Sequence, residues 1–308
     1  MTRTKKISKR FRFLTSLAGS SALQRIEGES IPPVLVDRDQ LGVTFIGHSS
    51  FLLQMGGQNL LIDPVFVQWL VVLRRLRRPG VKIEQLPPID AVLLTHAHMD
   101  HLNRPSLLRI VRHSRQISGR APVAIVPWGV GDLVRDLGFE RVIRLEWWQT
   151  EALGNLQVTM TPAQHWGARY YRDTHRGFGG YVVRSQQHSL YHSGDTAYFG
   201  GFEQIRKRLA PQVALLPIGA YNPESFRNVH TNPEDALQAF LDLGSRWMVP
   251  MHYGTFRLSE EPTEEPVQRL LAAAKNEGVS NRIRVLAEGE TKAFSPEGAE
   301  IEEISLIR

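Results

Sequence analysis

Cysteine is absent from all 308 residues. This excludes a disulfide framework, a thiolate metal site and a cysteine nucleophile, so any metal must be held by imidazole and carboxylate groups. Long apolar runs are lacking too. The longest, Val65 to Leu73, contains Gln68 and is too short to span a bilayer. The start has no central apolar region of a secretory signal, because Arg12 breaks its apolar stretch. The expectation is a cytoplasmic protein, soluble or peripheral at a membrane surface. Acidic residues are missing before Glu27, whereas Arg3, Lys5, Lys6, Lys9, Arg10 and Arg12 all fall there, matching the formal net charge of +6. With Phe11, Phe13, Leu14 and Leu17 interleaved, residues 1–35 read as a basic arm, either one suited to an anionic membrane surface or a solvated, frayed terminus. Outside local clusters the charge is near balance, which argues against nucleic acid as a partner; that function calls for a basic groove with stacking aromatics.

What is present is a large core. A hydrophobic content of 42% without any fixed-period repeat or linker makes residues 36–308 one domain. Short β-branched runs open it at 42–46, 51–54 and 59–62, with Gly56-Gly57 as a tight turn. Strands are then expected at 91–95, 123–126, 142–145, 157–161, 213–218, 247–250 and 283–286, with a hairpin at 180–184 and 189–192. Helices are expected at 105–113, 129–137, 202–209, 236–243 and 267–276, the fourth opened by Asn232 as N-cap and Pro233. This α/β alternation suits a four-layer sandwich of two sheets, each covered by helices on its outer face.

The chemistry concentrates in Thr95-His-Ala-His-Met-Asp-His101, directly after an expected strand. His96 and His98 alternate in a short turn, while Asp100 and His101 address a second position, a pattern that holds two metals rather than one. A hydrolytic zinc needs about three protein ligands and an open place for water. His165, Asp195 and His252 each follow a strand. His165 can join His96 and His98, His252 can join Asp100 and His101, and Asp195 can bridge the two positions. Two zinc ions are expected, although iron or manganese suits the same donors.

The cluster resembles the HxHxDH signature of the metallo-β-lactamase superfamily. The segments 47–54, Asp63-Pro-Val-Phe66, 86–95, Glu146-Trp-Trp148, Pro217-Ile-Gly-Ala-Tyr221 and His252-Tyr-Gly-Thr-Phe256 are similar to N-acylphosphatidylethanolamine-hydrolysing phospholipases D, over about residues 40–290. The resemblance implies the same seven ligands, places His48 and Asp63 near the metals, and turns His230 towards the substrate. It further implies a phosphodiesterase whose metal-bridging hydroxide releases an N-acylethanolamine and leaves phosphatidic acid. In that mechanism Asp100 orients the hydroxide or shuttles its proton, and His230 steadies a phosphate oxygen or the leaving group. The metal core alone also suits a lactonase or another ester hydrolase, and a non-catalytic metal-binding scaffold would lack ligands that are present here. The stretch 67–80, with Trp69 and four arginines, departs from the family pattern. It reads as an apolar-then-basic loop dipping into a bilayer, or as a solvated helix end.

Overall fold

A computed structural model describes residues 26–170, 173–295 and 300–301, so the basic cluster of the N-terminal arm lies outside the described residues. One mixed sheet is formed by β1 (Leu41–Gly47), β2 (Ser50–Met55), β3 (Gln58–Ile62), β6 (Ala91–Leu93), β7 (Val123–Pro127), β8 (Val142–Leu145), β15 (Thr291–Phe294) and β16 (Glu300–Ile301), in the order β16-β15-β1-β2-β3-β6-β7-β8. A second contains β9 (Thr150–Leu153), β10 (Leu156–Thr161), β11 (Gly180–Arg184), β12 (Ser189–His192), β13 (Val213–Pro217) and β14 (Trp247–Met251), in the order β14-β13-β12-β11-β10-β9. From β3 to β8 the first sheet is parallel, as is the second from β12 to β14.

Side-chain alternation along each strand builds the layers. Leu41, Val43 and Phe45 of β1, Ala91 and Leu93 of β6, and Val213 and Leu215 of β13 meet in the core between the sheets. The intervening Val92 and Ala124 face outward, beneath Leu107 and Ile110 of helix α1 (Arg104–Ser118). Ala214 and Leu216 face outward on the other side. There they pack under α2 (Gly201–Leu209), α3 (Pro233–Leu243) and α4 (Glu265–Asn276), through residues such as Phe202, Phe240 and Leu270. The result is the expected four-layer α/β sandwich. Asn103 caps α1 by accepting from Ser106 N, and Asn232 caps α3 by accepting from Asp235 N.

Three local expectations are corrected. The segment 129–137 is not an α-helix but a single 3-10 turn at Gly131–Leu133, because Gly129 takes a left-handed φ of 72° and Arg176 claims its carbonyl. Residues 283–286 form no strand beyond one bridge from Ile283 to Met248; Thr291–Phe294 closes the sheet against β1 instead. The stretch 67–80 is no helix end: β4 (Trp69–Leu70) and β5 (Leu73–Arg74) make a small hairpin. Of its arginines, Arg75 is fully buried and donates to the carbonyls of Val65 and Arg77, while Arg77 pairs with Glu288.

Candidate metal centre

The seven histidines and aspartates with ligand spacing meet on one rim, at the carboxyl ends of strands from both sheets. The first sheet supplies His96, His98, Asp100 and His101 after β6. The second supplies His165 after β10, Asp195 after β12 and His252 after β14. Two groups of four result, the donor atoms within each lying within 4.8 Å of one another: His96, His98, His165 and Asp195; and His48, Asp100, His101 and His252; two groups of three, Asp63, His96 and His101, and Asp195, His230 and His252, overlap them. Asp195 faces both, with Oδ1 3.2 Å from His101 Nε2 and Oδ2 3.0 Å from His252 Nε2 and 3.9 Å from both His96 and His165. His98 Nδ1 lies 2.8 Å from His96 Nε2 and 3.3 Å from His165 Nε2.

The residues suggested only by family likeness are drawn to the same place. His48 Nε2 contacts Asp100 Oδ2 at 3.1 Å, and its ring packs on His252. His230 turns Nδ1 towards Asp195 at 3.9 Å. Asp63 is fully buried beneath the cluster, accepts from Thr95 N and Oγ1, and lies 2.6 Å from His101 Nδ1. That carboxylate orients the His101 ring so that Nε2 faces the cluster. The Val229 carbonyl does the same for His165 by accepting from Nδ1 at 2.8 Å.

Backbone strain marks the same turns. His48, Asp63 and His252 have φ values of 60°, 45° and 61°, a left-handed conformation that costs a non-glycine residue about 1–3 kcal/mol. Two of these turns lean on each other, since His252 N donates to the His48 carbonyl. Arg169 pins the central loop from outside by donating to the carbonyls of Ala97 and Leu102.

Burial, first of all, and then neighbouring imidazoles hold His96 well below the ordinary imidazole range; burial also lowers His165, and brings His48 and His230 to about 4. These rings are therefore neutral electron-pair donors at pH 7. Burial opposes the charge on His101 and His252 as well, but Asp195 and its neighbours outweigh it, raising His101 well above its usual value and His252 to about 9. Asp100 and Asp195 stay ionised because adjacent imidazoles overcome the burial penalty.

A metal-pair assignment can be tested on orphaned atoms. Among the atoms that face the cluster, His101 Nε2, His252 Nε2, Asp195 Oδ1 and His230 Nδ1 are buried without a hydrogen bond. Such groups are costly unless something coordinates them. A nitrogen and oxygen donor set of this size fits two divalent cations.

One positioning residue went unnoticed at the sequence level. His192 is fully buried at the end of β12; its Nε2 donates to the Ser49 carbonyl at 3.0 Å, which leaves Nδ1 to accept from Gly194 N at 3.1 Å. It thus links the β1–β2 turn carrying His48 to the Gly194-Asp195 turn. His192→Phe keeps the ring volume and loses both bonds. It is expected to weaken metal binding by about 10- to 100-fold, the usual effect of removing a group that orients metal ligands; competition against a chromophoric chelator measures it.

Comparison with known proteins gives the family. Residues 58–253 match the family model described as a beta-lactamase superfamily domain. A Mycobacterium tuberculosis protein is 38% identical over 255 residues, covering 79% of this chain and 67% of that protein. The mitochondrial N-acyl-phosphatidylethanolamine-hydrolyzing phospholipase D of Saccharomyces cerevisiae is 31% identical over 266 residues; the match covers 82% of this chain and 55% of the yeast protein's length. Among solved structures, a metallo hydrolase from Ignicoccus hospitalis superposes with a TM-score of 0.64 at 27% identity, covering 83% of this chain and 99% of that one.

Proposed function

Because the chain belongs to the metallo-β-lactamase superfamily and is a metal-dependent hydrolase within it, we propose that it is a binuclear zinc phosphodiesterase of the phospholipase D type. Its substrates in this reading are N-acylphosphatidylethanolamine-like lipids, cleaved to an N-acylethanolamine and phosphatidic acid. The observation that carries the reading is the pair of ligand groups facing a shared Asp195, together with the likeness to the yeast enzyme. In this reading His96, His98 and His165 would hold one ion and Asp100, His101 and His252 the other, with Asp195 within reach of both. When bound, two such cations lower the pKa of water and neutralise charge developing on a phosphoryl oxygen.

The remaining work falls to side chains. Asp100, kept ionised beside His101 and His48, accepts a hydrogen bond from the attacking water and orients it. His230 is neutral at pH 7 and turned to the cluster, so it steadies a phosphate oxygen or the leaving group without adding a competing charge. Asp63 and His48 keep His101 and Asp100 in place. No side-chain nucleophile is required.

A lipid source for the substrate is supported by the β4–β5 hairpin. Leu70 and Leu73 pack in one cluster with Met99 of the metal loop, while the tip exposes Trp69 (48%), Val71 (71%) and Val72 (48%). An apolar tip joined to the catalytic loop sits at a membrane surface, bringing the rim to the headgroup level. Among the described residues no helix is long and apolar enough to cross a bilayer.

A metal-quantified turnover assay on N-acylphosphatidylethanolamine vesicles, bis(4-nitrophenyl) phosphate and a lactone tests the reading. Cleavage of the lipid well above the other two is expected. Preference for the lactone, or activity confined to the soluble diester, overturns the lipid assignment and leaves the metal-dependent hydrolase.

A further inference from the structure

At the ends of β7 and β8 lies an open groove of about 350 Å³, lined by Trp128, Leu145, Trp147, Met160 and Phe178. Trp128 follows β7 and Trp147 follows β8, and both strands run parallel to β6, which ends in the metal loop. At about 4.8 Å per strand, the groove extends along the rim to roughly 10 Å from the end of β6. Phe178 stands at its near end. Gly177 N donates to the Trp128 carbonyl and Gly179 N to that of Thr95, so the segment crosses the ends of β6 and β7. There the Phe178 ring meets His165 edge-on at 6.4 Å, and Trp147 from the other side at 5.8 Å. The groove and the candidate metal centre are therefore neighbours across the Phe178 ring.

Its chemistry selects the occupant. Trp128 is 56% and Trp147 44% exposed, an unusual amount of aromatic surface to leave in water. Trp147 Nε1 already donates to the Phe178 carbonyl, so this indole offers a bare apolar face rather than a donor for sugar hydroxyls or bases. Glu146 is the one charged residue of the lining, and the Arg144 guanidinium at its edge is already stacked over the Trp128 ring at 5.5 Å, which leaves Trp147 as the bare face. We infer that this groove binds a hydrocarbon chain of the same molecule whose ester lies at the metal cluster. The inference rests on the proposed lipid function and deepens it: the headgroup phosphodiester sits over Asp195, and the acyl chain runs past Phe178 onto Trp147 and Trp128.

The test uses zinc-loaded protein and the non-hydrolysable series N-hexanoyl- to N-dodecanoylethanolamine, with binding followed by tryptophan fluorescence and calorimetry. Each added methylene is expected to tighten binding by roughly two- to fourfold until the groove is filled, the upper figure corresponding to about 0.8 kcal/mol per buried CH₂. In Trp147→Ala this dependence on chain length should flatten. If that variant loses its metal, the solvent-facing Trp128→Ala decides on the same criterion. An absent dependence in the native protein, or one that persists unchanged in the variants, overturns the groove. Failure here is distinct from failure of the parent reading. Lipid turnover without a chain-length dependence sinks only the groove, whereas chain binding without turnover of any phosphodiester sinks the substrate assignment.

Discussion

Asp195→Asn is expected to bind less than a full complement of zinc and to lose turnover by about three orders of magnitude. Asparagine keeps the shape of the carboxylate and removes its charge. That charge lies 3.0–3.2 Å from His252 and His101 and 3.9 Å from His96 and His165, so it reaches both ligand groups. Stabilisation of transition-state charge by a metal pair is worth several kcal/mol, and about 4 kcal/mol corresponds to roughly a thousandfold in rate. Metal content by atomic emission and kcat on the best substrate of the panel report the two effects separately. Retention of two zinc ions together with native kcat would overturn the bridging role.

Withdrawal of metal by a strong chelator is expected to abolish turnover, and return of zinc to restore it. Proton release is the sharper signature of how these ligands bind. In the metal-free protein His101 and His252 carry protons at pH 7.5, since the carboxylates of Asp195 and its neighbours outweigh burial and raise both. A cation displaces those protons, so zinc uptake should release about two per protein from these rings, and about one more where metal-bound water ionises, as read from calorimetry in buffers of different ionisation enthalpy. The sign for stability follows from the same shift. His252 is raised from 6.5 to about 9, so its contribution to the metal-free fold is complete below pH 6.5 and is lost as pH rises through about 9. Zinc uptake without proton release at pH 7.5 would contradict this assignment of charge.

How much of this was legible in the amino-acid order depends on the range over which each signal acts. His96, His98, Asp100 and His101 declare themselves within six positions, and His165, Asp195 and His252 each follow a recognisable strand; the structure brings all seven to one rim. His192 stayed silent because its role depends on the Ser49 carbonyl, 143 positions away. A helix was expected over 129–137, yet a left-handed glycine at its start and the Arg176 guanidinium on the carbonyl of Gly129 hold it in turns. Thr291–Phe294 carries a weak strand pattern and becomes a strand because β1 offers it an open edge. Residues 283–286 have the better composition and find only Met248. Local chemistry could be read directly, whereas pairing partners were chosen by the assembled sheets.

The contribution of both sheets to each ligand group has a further meaning in a chain without a single cysteine. Cations held between His101 and His252, or between His96 and His165, staple the two halves of the sandwich as a disulfide would. The first of these closes a loop of about 150 residues; for a covalent bridge of that span, the loss of freedom in the unfolded chain is worth about 5 kcal/mol. Metal supply would then govern how long the protein survives as well as whether it acts, because a chain stripped of its ions loses a link that ties side chains of one sheet to side chains of the other.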